Sequence, residues 1–229
     1  MGVGMKRHIF SFLMLLAAAF LAADAEDQVI LLTGFSPFGT YERNVSIESI
    51  LPLEGRTVRG YTISVLELPV AWEQSAAMLR SAIADLRPRM VIASGIDPSL
   101  EGMLIIETEA RNRTTFTADE LGNLPPGDGI IITDGEPRLS TTIPASEVLD
   151  RMEAHRIPAV QGADAGSYVC NWVFYHLMDE LPEYALGGFI HIAPDMDPEI
   201  MQSIWMVLLR EILDVVSGYR ENYCFTITQ

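Results

Sequence analysis

VILLTG, residues 29–34, is a continuous apolar run closed by a glycine, the pattern of a strand buried on both faces. A strand with one wet face would alternate, and this one does not. The pattern returns at 90–93, again just before a glycine, Gly95, and at 188–192. Between the first two runs lie the loop FSPFG at 35–39, a short helix near 46–51 and a second strand at 61–68. Pro69 then leads into a long amphipathic helix whose Trp72, Ala76, Leu79, Ile83 and Leu86 share one stripe, stopped by Arg87-Pro88. Strand, helix, strand, helix, strand is the order of an α/β protein. Doubly buried strands in that order predict a single domain built on a mostly parallel twisted sheet with helices on both faces, an α/β/α sandwich.

Between 97 and 137 the rhythm breaks. Residues 104–106 read as a short strand leading to Glu107 and Glu109, while 114–129 is irregular and rich in Gly, Pro, Asp and Thr. A loop of that length inside a compact domain is uncommon and often functional. Regularity resumes with a helix at 145–155, a strand at 157–161, a helix at 171–181 and the strand at 188–192. The last helix has Asp197 as N-cap and Pro198 at its first position, with Ile200, Ile204, Leu208, Ile212 and Val215 along one side before Gly218. No internal repeat is present.

At 229 residues, 49% apolar and 20% charged, the chain has the length and composition of one ordinary globular domain. Its net charge is -16, with 15 basic against 31 acidic residues spread along the chain, which argues against nucleic acid or an anionic membrane as partner. The first residues differ from the rest. Lys6 and Arg7 precede an apolar run at 9–23, and Ala23-Asp24-Ala25 supplies small residues for cleavage. Residues 1–25 are therefore expected to be a signal peptide cut after Ala25, leaving a domain at 26–229 that is secreted or periplasmic. The run is short of the roughly 20 apolar residues of a spanning helix, and no integral membrane segment is expected after cleavage. Homo-oligomerisation is left open.

The chemistry gathers at DAGSYVCN, residues 164–171. Cys170 follows a glycine turn and opens a helix on which Val173, Phe174, Leu177, Met178 and Leu181 recur, so its sulfur lies where unpaired N–H groups and the helix dipole favour negative charge. Taken alone, Cys170 reads as a small buried hydrophobe, as most free cysteines do. A partner stands at the end of the next buried strand: His191, in GGFIHIAPD. Ligands of open α/β sheets bind outside the carboxyl ends of the strands, so the two can meet there as a nucleophile and its base. Glu107, Glu109, Asp164 and Asp195 all qualify by spacing as the acid that orients the imidazole. A zinc site from His191, Asp195 and Asp197 is the weaker alternative, because both acids serve as turn and cap residues. A disulfide between Cys170 and Cys224 would silence the thiol, and spacing leaves that open.

These residues carry a resemblance. TGFSPFG at 33–39, LPV at 68–70, IETEARN at 106–112, STTIP at 140–144, DAGSYVCNWVFY at 164–175 and GFIHIAP at 188–194 stand in the order found in the pyroglutamyl peptidase I, or pyrrolidone-carboxylate peptidase, family. The resemblance spans nearly all of the chain after the leader. It implies a cysteine exopeptidase that removes N-terminal pyroglutamate from peptides with blocked N-termini, without cofactor or metal. It assigns Cys170 as nucleophile, His191 as base and Glu107 as acid, with Phe35 and Phe38 sandwiching the pyrrolidone ring and Asn44 as a nearby polar site residue. A flat, uncharged lactam suits two aromatic faces and a few hydrogen bonds, which would strand the charges of free glutamate.

The chain also departs from the pattern. The family's Gly-Arg pair is absent from GIDPSLEG at 95–102, the arginine after the acid is Thr108, and Asn-Pro-Ser is Asn44-Val45-Ser46. These changes leave room for another small N-acyl substrate, or for a binding protein that uses the same cleft without turnover.

Overall fold

Alternation within β1 (Val29–Phe35) divides the molecule into two packed halves. The computed structural model describes residues 28–224, with side chains as far as Gly218; Ile30 and Leu32 face one side of the sheet, Leu31 and Phe35 the other. All four are buried. The other strands are β2 (Thr57–Val58), β3 (Tyr61–Leu68), β4 (Met90–Ile96), β5 (Leu104–Glu107), β8 (Ala159–Gly162) and β9 (Leu186–Ile192), with β6 (Glu109–Arg111) and β7 (Arg138–Ser140) forming a separate antiparallel pair. The main sheet has the order β2-β3-β1-β4-β9-β5-β8. Its centre, β3-β1-β4-β9, is parallel; β2 and β5 run antiparallel to β3 and β9, and β8 follows β5.

Helices cover both faces, as the strand pattern requires. On one side α1 (Val45–Glu48), α3 (Ala145–Ala154) and α5 (Pro198–Cys224) pack Val148, Trp205, Leu208 and Ile212 against Ile30, Leu32, Ile92 and Ile190. On the other, α2 (Trp72–Leu86) and α4 (Val169–Glu180) pack Trp72, Leu79, Val173 and Leu177 against Leu31, Val91 and Phe189. Each large side chain fully removed from water contributes about 1.5–3 kcal/mol, so both faces hold the sheet.

The glycines that were expected to end strands lie inside them. β1 continues to Phe35 and β4 to Ile96, neither Gly34 nor Gly95 has a positive φ, and both sit where another group comes close. A Cβ on Gly34 would run into the backbone of Ser46 and Ile47. Smaller shifts follow local chemistry. The helix predicted at 46–51 stops at Glu48 and yields to a 3-10 turn, Leu51–Leu53, that carries a proline near its start. The strand predicted at 157–161 begins at Ala159, and α4 starts at Val169, so Cys170 is its second residue. Asp197 caps α5 as expected, accepting from the N–H groups of Glu199 and Ile200, but Ile200 is exposed and Met201 turns inward instead. The leader at 1–25, its cleavage point and the Cys224 side chain lie outside the described residues. Among the described residues no helix is long and apolar enough to cross a membrane.

Candidate active site

Because side chains alternate along a strand, Phe189 and His191 of β9 share a face with Glu107 of the neighbouring β5, beneath α4. Glu107 lies opposite Phe189, two residues along β9 from His191, and reaches it diagonally: His191 Nδ1 and Glu107 Oε1 are 2.9 Å apart. Both are buried, Glu107 at 2% and His191 at 5% exposure. A carboxylate so buried must be fully partnered. Its second oxygen, Oε2, accepts the backbone N–H of Asp164 at 3.1 Å. Gly162 packs against the same carboxylate, where any side chain would collide, and the Thr108 hydroxyl and N–H both donate to Gly162 O, at 2.7 and 2.9 Å.

The thiol arrives from above the strands. Tyr168, the N-cap of α4, offers no side-chain cap, and the first intrahelical bond runs from Trp172 N to Tyr168 O at 3.1 Å. The N–H groups of Val169, Cys170 and Asn171 are therefore left without partners inside the helix, beside the sulfur. Cys170 is a free, half-buried thiol close enough to His191 for the two to interact electrostatically. Gly95 makes this approach possible, since a Cβ there would stand 2.8 Å from Cys170 Sγ and 3.2 Å from the Phe189 ring. Burial disfavours a charged imidazole at His191, but hydrogen bonds to Cys170 and Glu107 and the charges of both outweigh it, pushing its pKa up to about 10. An imidazolium held between the Cys170 sulfur and the Glu107 side chain can donate a proton to a leaving group and, once neutral, take one from water.

Beside the sulfur is a narrow apolar pocket lined by Phe35, Phe38, Val70, Ile96, Tyr168, Val169 and Cys170. Its aromatic and aliphatic lining suits a flat, uncharged group. Two larger surface hollows, at the start of α2 and beside Val29 and Tyr184, are lined by neither His nor Cys. The irregular 114–129 segment braces the pocket walls. Thr115 N donates to Ser167 O, Tyr168 Oη to Ala118 O, Glu120 N to Val70 O, and Gly39 N to Glu120 Oε2, at 2.7, 3.0, 3.1 and 3.0 Å. Asp119 caps α2 through Trp72 N at 3.0 Å.

Of the residues expected from sequence, Cys170, His191 and Glu107 meet, and Phe35 and Phe38 line the pocket beside them. Asn44 sits elsewhere: fully buried, it caps α1 through Ser46 N, accepts from the Ser46 hydroxyl and donates to Ser36 O, so it supports the loop that carries Phe38 rather than lining the pocket. The other candidate acids are engaged elsewhere. Glu109 pairs with Arg138, Asp164 with Arg111 and Arg113, and Asp195 accepts from Gly102 N. With Asp195 in that turn and Asp197 on the end of α5, the zinc alternative has lost its acids, and no group of three metal-ligating side chains occurs among the described residues. Sequence reasoning missed Tyr168, Val70 and Ile96 as lining residues, and Gly95 and Gly162 as the places where the nucleophile and the acid are allowed close. Val70 and Tyr168 stand inside the matched blocks at 68–70 and 164–175, which was a visible signal, whereas Gly95 and Ile96 fall in the segment that departs from the family pattern.

Comparison with known proteins bears on the family and the fold. A family model described as Pyroglutamyl peptidase matches residues 28–204. The chain is 34% identical over 173 residues to a pyrrolidone-carboxylate peptidase of Bacillus cereus, covering 72% of this chain and 78% of that one. It is 35% identical over 170 residues to the protein of the same name from Klebsiella pneumoniae, covering 71% and 77%. The crystal structure of Bacillus amyloliquefaciens pyroglutamyl peptidase I superimposes with a TM-score of 0.75 at 28% identity, covering 81% of this chain and 97% of that one. The pyrrolidone carboxyl peptidase of Thermococcus litoralis, at 22% identity, shares the fold with a TM-score of 0.77 over 83% and 96%. With a model match across most of its length and relatives at about one third identity, the chain belongs to the pyroglutamyl peptidase family.

Proposed function

We propose that this protein is a cysteine exopeptidase that hydrolyses the amide bond after an N-terminal pyroglutamyl residue, with Cys170 as nucleophile, His191 as general acid and base, and Glu107 as the acid that orients it. The observation that carries this reading is the buried Glu107–His191 contact at 2.9 Å ending on the Cys170 thiol beside an apolar pocket. The Cys170 thiolate attacks the pyroglutamyl carbonyl carbon. The resulting oxyanion is met by the free N–H groups of the first turn of α4. As the C–N bond breaks, His191 gives its proton to the departing amine and a thioester remains. Water then attacks the thioester, losing a proton to His191, and releases pyroglutamate and the thiolate.

Phe35, Phe38 and Tyr168 supply faces for the lactam ring, and a free glutamate would bring two unpaired charges into the same lining. Ile96, in the segment that departs from the family pattern, forms part of this wall and so bears on which ring is accepted. Single-turnover and burst kinetics with a chromogenic pyroglutamyl amide test the reading, beside a panel of other N-acyl and unblocked peptide amides. Turnover of the pyroglutamyl amide alone is expected; preference for another acyl group would refute the substrate assignment. We further infer export, with cleavage after Ala25, from the basic-then-apolar leader. N-terminal sequencing of protein recovered outside the cytoplasm checks that cut.

A further inference from the structure

Asp164 was one of four acids that spacing allowed beside His191. It holds the other side of Glu107 instead, through its backbone N–H at 3.1 Å, while its side chain faces away into an ionic clamp. Arg111 reaches Asp164 Oδ2 at 2.8 Å, and Arg113 reaches Oδ1 and Oδ2 at 2.9 and 2.8 Å. Gly166 N donates to Oδ1 at 3.1 Å, and Arg111 also donates to Ala163 O at 2.9 Å. As a stabilising ion pair this cluster contributes little, because Asp164 and Arg113 are nearly half exposed and surface charges are screened. Its effect is on geometry.

The backbone it grips, 162–166, is the segment that packs against Glu107 and leads into the thiol helix. The two arginines are themselves set by the residue after the nucleophile. Asn171 Nδ2 donates to Arg111 O and Arg113 O at 2.7 and 2.9 Å, and Asn171 Oδ1 accepts from Arg111 N at 2.9 Å. A closed circuit thus runs from Glu107 along its chain to the arginines, across Asn171 to the helix of Cys170, and through Asp164 back to Glu107.

We propose that Asp164, clamped by Arg111 and Arg113, is a positioning residue that holds the Glu107 carboxylate in register with His191 and the thiol helix. The proposal rests on the catalytic reading above, so its test includes a readout that needs no substrate. Releasing the clamp loosens Glu107, the imidazolium loses support, and His191 titrates at lower pH. In Asp164→Ala the NMR titration of the His191 ring and the basic limb of the kcat/KM profile both move to lower pH. In the same variant kcat falls about tenfold while KM for a pyroglutamyl amide stays within about twofold. Asp164→Asn, which keeps an oxygen for Gly166 and the arginines, recovers part of both. Arg80→Ala, which breaks the comparably exposed Arg80–Glu180 pair at 2.8 Å, moves neither. The proposal is overturned if the Asp164→Ala titration and basic limb coincide with wild type, or if the loss falls on KM with kcat retained. Should Asp164→Ala fail to fold, Arg113→Ala is read by the same two criteria, with a smaller shift in the same direction. If the wild type turns over no pyroglutamyl amide, the catalytic reading fails, and the His191 titration still decides the positioning role.

Discussion

Two histidine–glutamate pairs of equal length lie on opposite faces of the sheet. His191 meets Glu107 at 2.9 Å beneath α4, and His155 meets Glu211 at 2.9 Å between α3 and α5. Both carboxylates are buried, Glu211 at 5% exposure. Their surroundings separate them. Glu107 takes a neutral backbone N–H on its second oxygen, and among the described residues His191 is the one cation within ion-pair distance of it. Glu211 shares its charge with Arg210 at 3.1 Å and Arg151 at 3.8 Å. Burial disfavours its charged form, yet hydrogen bonds from His155 and Arg210 prevail and hold its carboxyl below the usual range. The His155 side chain is 39% exposed against 7% for His191, and the free thiol found among the described residues lies at His191 instead. A His–Glu contact becomes chemical machinery when the imidazolium is the carboxylate's one counter-charge, is shut away from water and looks onto a nucleophile. With arginines sharing the carboxylate and the imidazole open to water, it is a tie between two helices.

Experiment can undo this contrast or tighten it, and Cys170→Ala carries the largest effect. It should lower pyroglutamyl-amide turnover by about 10⁴-fold or more while circular dichroism remains native; retained turnover would mean that the α4 face is no more catalytic than its opposite. Glu107→Gln should cut kcat by about 10³- to 10⁴-fold and bring the basic limb of the profile down in pH, since the imidazolium loses its counter-charge. Gly95→Ala probes the steric side, because its methyl must displace Cys170 Sγ, 2.8 Å away, and kcat should fall by about 10²-fold. Glu211→Gln should leave kcat within about twofold and lower unfolding stability by about 1–3 kcal/mol in urea titrations; equal losses of activity from the two glutamines would end the distinction.

The most diagnostic effect is on stability rather than rate, because the two pairs have opposite pH windows. His191 has its folded pKa raised to about 10 from 6.5, so its contribution to stability is complete below the unfolded value and is lost as pH rises through about 10. Glu211 has its folded pKa lowered from 4.5, so its contribution is present above that value and is lost as pH falls. Urea midpoints should therefore decline between pH 7 and 10 in wild type and less so in Glu107→Gln, on a scale of about 1 kcal/mol or more per unit shift in pKa. Glu211→Gln should flatten the acid side and leave the alkaline side unchanged.

Much of this architecture was legible in the chain, and what was not has a common cause. VILLTG announced a strand buried on both faces, and β1 holds Ile30 and Leu32 on one side and Leu31 on the other. The helix stripes of α2 and α4 and the Asp197 cap were readable because they depend on neighbours within a turn or two. Cys170 and His191 were visible as a helix start and a strand end. Glu107 was not separable from Glu109, Asp164 and Asp195 by spacing, and only the family resemblance singled it out. The deciding fact is that β5 enters the sheet between β9 and β8 and runs antiparallel to β9, which sets Glu107 diagonal to His191. Strand order is a property of the folded whole, and no local periodicity encodes it.

Side-chain period and helix-end chemistry were thus enough to specify the α/β class, the layers of strands and helices, and the two residues most suited to be nucleophile and base. Packing was needed to select which acid meets His191 and to turn Asn44 into the support of a loop rather than a wall of the pocket. Packing also made Gly34, Gly95 and Gly162 points of close approach, and set Asp164 to grip the buried Glu107 from behind. Each of these joins segments that are distant along the chain, and only the assembly of the sheet and its two helix layers brings such segments within hydrogen-bond reach.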